Sequence, residues 1–159
     1  MTNKEAFELL SKEREFSNLT GWSFVRILSI NFDTIKKEYD LAKKYLEPSE
    51  ELKNLMHKKN AILYKYAEKN ENGEPIVIEV DNNKQYKLTS DNESKALEEI
   101  KELEKEGSDV LQEGISNYNK YMEILEEDFK GDIITIDSKI LPKEITYGQL
   151  SAIKNWINM

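Results

Sequence analysis

Asn92–Lys130, NESKALEEIKELEKEGSDVLQEGISNYNKYMEILEEDFK, is the stretch whose reading decides the fold. Its apolar residues fall at Leu111, Ile115, Tyr118, Met122, Leu125 and Phe129, steps of four and three that lay one stripe along one face of a helix. The opposite face is mostly Glu. Gly107 and Gly114 lie inside the pattern and each costs a helix about 1 kcal/mol relative to Ala. The pattern predicts a single long helix, kinked near Gly107 and ended by Gly131.

Working outward, residues 91–130 hold 13 acidic and 5 basic side chains, a net of −8. The whole chain also nets −8, so the rest sums to zero. Such a run reads either as a solvated face that maintains solubility or as an acidic ridge for a basic partner. Glu98, Glu102, Glu106, Asp109 and Glu113 follow one another at steps of four, four, three and four. They form one continuous negative stripe and are the candidate partner-binding residues. Like charges at that spacing cost an isolated helix about 0.2–0.5 kcal/mol per pair, and a purely structural helix would more often interleave Lys.

Upstream, Val25, Leu28, Phe32, Ile35, Tyr39, Ala42 and Leu46 recur at three and four, a coiled-coil-like seam. Pro48 stops that helix, and Ser49 can cap the next, with Glu50 and Glu51 at its positive end. The second helix runs to about Lys69 and carries Leu52, Leu55, Met56, Ile62, Leu63, Tyr66 and Ala67. The short connection predicts an antiparallel helical hairpin. Residues 35–69 hold nine Lys against six acids, which complements the long acidic helix, although exposed ion pairs contribute only about 0.2–1 kcal/mol each. The expected fold is therefore mainly α: a three-helix, coiled-coil-like bundle of hairpin plus long third helix.

Smaller elements fill the gaps. A capping box at Thr2 and Glu5 opens a helix from Asn3 to about Phe16, expected as an N-terminal helical extension over residues 1–21, ahead of a single helical domain over 22–159. Trp22 and Phe24 are expected core anchors. Ile76–Val80, the turn residues Asp81-Asn82-Asn83, and Tyr86–Leu88 read as a small β-hairpin at about 76–88. Ser90 with Glu93, and Thr146 with Gln149, open the third and last helices, the latter bearing Leu150, Ile153, Trp156 and Ile157. Asp132–Ile136 is a second β-like run, expected to pair away from the hairpin or not at all.

The motifs of chemistry are sparse. With no Cys there are no disulfides, thiolate nucleophiles or Cys-ligated zinc. His57 is the one His and has no partner at metal-binding spacing. The six Gly are isolated, so no phosphate loop forms, and Gly-x-Ser-x-Gly is absent. Asp132 and Asp137 are the least poor carboxylate pair for a divalent metal. Tyr39, Tyr45, Tyr64, Tyr66, Tyr118 and Tyr121 are expected to be half-buried seam residues with wet hydroxyls. No catalytic, cofactor-binding or metal residues are assigned, no cofactor is expected, and the chain reads as a non-enzyme.

No run approaches the ~20 apolar residues of a membrane span, and the first residues lack a signal peptide's apolar core. The acidic balance argues against nucleic-acid backbones and anionic membranes as direct partners. A cytoplasmic protein with a protein partner, and room for homo-oligomers, is the expectation.

Two segments add context. Tyr66-Ala67-Glu68-Lys69-Asn70-Glu71-Asn72-Gly73-Glu74-Pro75 and Leu141-Pro142-Lys143-Glu144-Ile145-Thr146-Tyr147-Gly148-Gln149-Leu150 resemble recurring segments of a group of small uncharacterised phage and prophage proteins. Those proteins also place a helical pair before the first run and a Glu-rich helix before the second, and the likeness covers about Phe24 to Ile157. It implies a viral protein acting in the host cytoplasm and brings no catalytic residues with it. Three functions follow: a protein-binding accessory protein, an inhibitor of a defence or nucleic-acid enzyme that imitates nucleic acid with its acidic helix, and a divalent-metal hydrolase.

Overall fold

The computed structural model describes residues 1–158. It is mainly helical, with about 65% of residues in helix, six α-helices and a small antiparallel sheet. The chain divides into two compact units, one of residues 1–47 with the chain from Tyr118 onward, the other of residues 48–117.

In the first unit, α1 (Asn3–Leu10) opens on the expected capping box: Glu5 N donates to Thr2 Oγ1 and Thr2 N donates to Glu5 Oε2. The helix stops well short of Phe16, and a 3₁₀ turn at Glu13–Phe16 carries the chain on. That turn aims Phe16 inward, so residues 1–21 do not behave as an extension. Ala6, Leu9, Phe16 and Leu19 are all buried in the main apolar cluster. The N-terminus is also pinned by its backbone, with Asn3 N donating to Glu127 O and Phe129 N to Met1 O.

Helix α2 (Trp22–Lys43) follows. The middle of its predicted seam is buried at Leu28, Phe32, Ile35 and Ala42, while Val25 and Leu46 at the two ends are exposed. Phe24 is the entry anchor at 0% exposure; Trp22 is not, at 80%. Phe32 sits at the centre, its ring 5.7 Å from Phe16 and 5.6 Å from Trp156. Each such ring contributes about 1.5–3 kcal/mol by leaving water.

Asn31, fully buried on α2, takes the place of a β-strand partner. Its Nδ2 donates to Ile134 O at 2.9 Å, and Ile134 N donates to its Oδ1 at 2.8 Å. With Ile134 engaged there, the β-like run pairs only further on. Strand β3 (Ile136–Asp137) lies parallel to β4 (Ile157–Asn158), Ile136 opposite Ile157. The last helix is correspondingly short: α6 (Tyr147–Ala152) starts on the Thr146–Gln149 capping box, then yields to a 3₁₀ turn at Lys154–Trp156 that buries Trp156.

In the second unit, Ser49 caps α3 (Glu50–Tyr66) through its hydroxyl. Strands β1 (Val77–Val80) and β2 (Asn83–Tyr86) form the expected hairpin. Its turn residues Asp81 (φ 52°) and Asn82 (φ 63°) are both left-handed, the conformation a two-residue hairpin turn needs. Thr89, one residue before the expected Ser90, caps α4 (Ser90–Glu106).

The long acidic helix is two helices. α4 ends at Glu106 and α5 (Ser108–Glu126) begins after the single intervening residue Gly107. The i to i−4 ladder still passes through the joint, with Gly107 N donating to Leu103 O and Leu111 N to Gly107 O. A side chain at 107 would meet Leu55 Cδ1 at 2.8 Å, so glycine lets α3 approach here. α5 also ends before Gly131, because the backbone from Glu127 to Phe129 pairs with the N-terminus.

Within the units, α3 packs antiparallel on α4 and α2 packs on α1. This arrangement does not confirm the expected three-helix bundle. The 3–4 spacing of α2 marks a face to be buried; it does not say which helix buries it.

Candidate functional site

The antiparallel α3–α4 seam brings the site together. Lys59 Nζ lies 2.8 Å from Glu104 Oε1, and Lys65 Nζ lies 2.7 Å from Glu99 Oε1. Tyr66 OH donates to the same Glu99 oxygen at 2.5 Å, and Asn92 Nδ2 donates to Tyr66 O. The bonds from Lys65 and then Tyr66 hold the Glu99 carboxyl below its ordinary 4.5. The bond to Glu99 in turn raises Lys65. Glu99 and Glu104, neither on the predicted stripe, are thus the α4 carboxylates that pair with α3 across the seam.

The five predicted residues are placed differently. Glu98, Glu102, Glu106, Asp109 and Glu113 are all exposed. Among the described residues none of them makes a side-chain hydrogen bond or an ion pair within 4 Å. At about 100° per residue, Glu98 and Glu102 lie on the side of α4 away from Ala96, Ile100 and Leu103, which face α3. Glu106 lies nearer that seam. The stripe is therefore continuous, solvated and unneutralised.

Beside it, the second unit is thinly packed. Only Ala67, Ala96 and Ile100 are buried there, and α3 has no buried residue despite its Leu, Ile, Met and Tyr side chains. Met56 is 61% exposed and Ile115 54%. Two open recesses flank the α3–α4 seam and share Leu55 and Leu103. The larger, about 650 Å³, is lined mainly by Leu52, Met56, Leu63 and Leu111, with His57 among its polar neighbours. The smaller, about 350 Å³, adds Val110 to the floor and has Glu51 and Glu106 in its walls. Sequence patterning could not show these recesses, since the apolar positions of α3 read as core.

The remaining candidates disperse. Asp137 accepts from Lys139 N at 2.8 Å and so caps a 3₁₀ turn, while Asp132 is exposed. No group of three or more His, Asp or Glu converges among the described residues. Of the six tyrosines, Tyr39, Tyr66 and Tyr121 are half-buried as expected, whereas Tyr45, Tyr64 and Tyr118 are exposed. Among the described residues no helix is long and apolar enough to cross a membrane. Comparison with family models, curated proteins and solved structures returns no match.

Proposed function

We propose that the protein is a non-enzymatic accessory protein, encoded by a phage or prophage and acting in the host cytoplasm, that works by binding a protein partner on its α4–α5 acidic face. The observation that carries this reading is the contrast between two sets of carboxylates. Glu99 and Glu104 are paired with lysines across the seam, while Glu98, Glu102, Glu106, Asp109 and Glu113 are left without a cation. Like-charge neighbours cost a helix about 0.2–0.5 kcal/mol per pair. A face held so against its own repulsion, beside exposed apolar recesses, fits a partner that brings positive charge. The phage and prophage resemblance supplies the context.

Nucleic-acid mimicry is the second reading, favoured by the same stripe. Its charge density is low for the role. Glu98 to Glu113 covers about 22 Å at ~1.5 Å per residue, or roughly one carboxylate every 5–6 Å, against one phosphate per ~3.4 Å of a single strand and ~1.7 Å of duplex. Protein docking therefore ranks first. For a metal-dependent hydrolase, no group of three or more His, Asp or Glu converges among the described residues.

Reversing Glu102, Glu106 and Glu113 to Lys tests the reading. The variant should fold as well as the parent or slightly better, and should lose the proteins that the parent retains from a bacterial lysate. Recovery of the same proteins at the same salt would reduce the stripe to a solubilising face.

A further inference from the structure

The smaller recess has a composition that selects its guest. Leu55 from α3, Leu103 from α4 and Val110 from α5 make an apolar floor, with Gly107 beside them. Glu51 stands in the α3 wall and Glu106 in the α4 wall; Lys58 is the one cation in the lining. Turning outward from Leu103 by about 100° per residue, one meets Glu106 and then Glu102. From Val110 the same sense of rotation reaches Glu113. The α4–α5 wall of the recess is therefore the near edge of the unpaired acidic stripe.

We propose that this recess is a docking groove for a basic amphipathic helix, an inference that rests on the partner-binding reading and names the partner's chemistry. A large aliphatic or aromatic anchor on the guest enters the Leu55–Leu103–Val110 floor. Lys or Arg side chains one turn before and after it reach Glu106, Glu102 and Glu113. Charge decides among occupants. The acidic helix of a second copy, an acidic peptide or a nucleic-acid strand would each meet like charge along this wall. A basic helix gains attraction there, and its apolar face covers surface that α3 and α4 leave in water.

The probe is a short synthetic helix of Leu and Lys, leucines at i, i+3, i+4 and i+7, labelled with a fluorophore; a scrambled peptide of the same composition is the control. Fluorescence anisotropy should show the patterned peptide binding about tenfold or more tighter than the scrambled one, and weakening as salt rises. Glu106→Lys with Glu113→Lys should abolish binding. Val110→Glu is the decisive variant, because it adds attraction for lysine while spoiling the floor. Binding should fall about tenfold despite the added charge. Gly107→Ala checks this without altering charge: its new methyl would lie 2.8 Å from Leu55 Cδ1, so Leu55 must shift at the floor and affinity should drop several-fold. Circular dichroism confirms that each variant is folded.

Equal binding of patterned and scrambled peptides, or unchanged or tighter binding to the Val110→Glu protein, would overturn the groove. If lysate partners still depend on Glu102, Glu106 and Glu113, the partner-binding reading stands without it. If reversing those residues changes neither readout, both fall.

Discussion

Asn31 shows how much one residue can fix. Its side chain supplies both a donor and an acceptor to the backbone of Ile134 from inside the apolar cluster around Phe32 and Ile35. Removing it would leave two backbone groups without partners, each worth about 1 kcal/mol net and more where water cannot enter. Asn31→Ala should therefore lower stability by about 1–3 kcal/mol, read as a lower urea midpoint with an unchanged slope. An Asn on a helix carries no sequence mark that separates this role from a solvated surface position, so the residue was not legible beforehand. Caps and turns were. Thr2 with Glu5, Thr146 with Gln149, and Asp81-Asn82 act within a few residues of chain, and local chemistry is what a sequence displays.

At the scale of elements, the α3–α4 seam is tied by groups that titrate. Glu99 is held below its ordinary 4.5 by Lys65 and Tyr66. Its folded value lies under its unfolded one, so its contribution is complete above about pH 4.5 and disappears as pH falls through the lower folded value. Lys65, raised by the same bond, stays charged throughout that window. Protection of the α3 and α4 amides, the observed exchange rate set against the intrinsic rate at each pH, should fall as pH drops below 4.5, and Glu99→Gln should remove that fall. The pairing of α3 with α4 was foreshadowed by charge, the Lys-rich residues 35–69 against the acidic helix, but not by periodicity, which identifies a buried face without naming its partner. The joint at Gly107 was half visible. The glycine was evident, but the need for it comes from Leu55, 52 positions earlier in the chain.

The main buried apolar cluster of the molecule lies in the first unit, around Phe16, Phe32, Ile136 and Trp156. The second unit buries little and exposes much. Far-ultraviolet circular dichroism should report a helix content near 65%, and a value under about a third, the background for soluble domains, would contradict the architecture. The acidic stripe was legible residue by residue from its spacing. Its lack of internal partners was not, since that depends on which carboxylates the seam claims.

The measurement closest to the central claim is site-specific photo-crosslinking in a bacterial lysate. A photoreactive amino acid replaces Lys105 beside the stripe or Asp109 within it, or Ser17 or Lys139 as exposed controls elsewhere. A protein-binding acidic face predicts discrete adducts from positions 105 and 109 that vanish when Glu102, Glu106 and Glu113 are reversed, and none from 17 or 139. Adducts of equal yield from all four positions, or only from the controls, would contradict it.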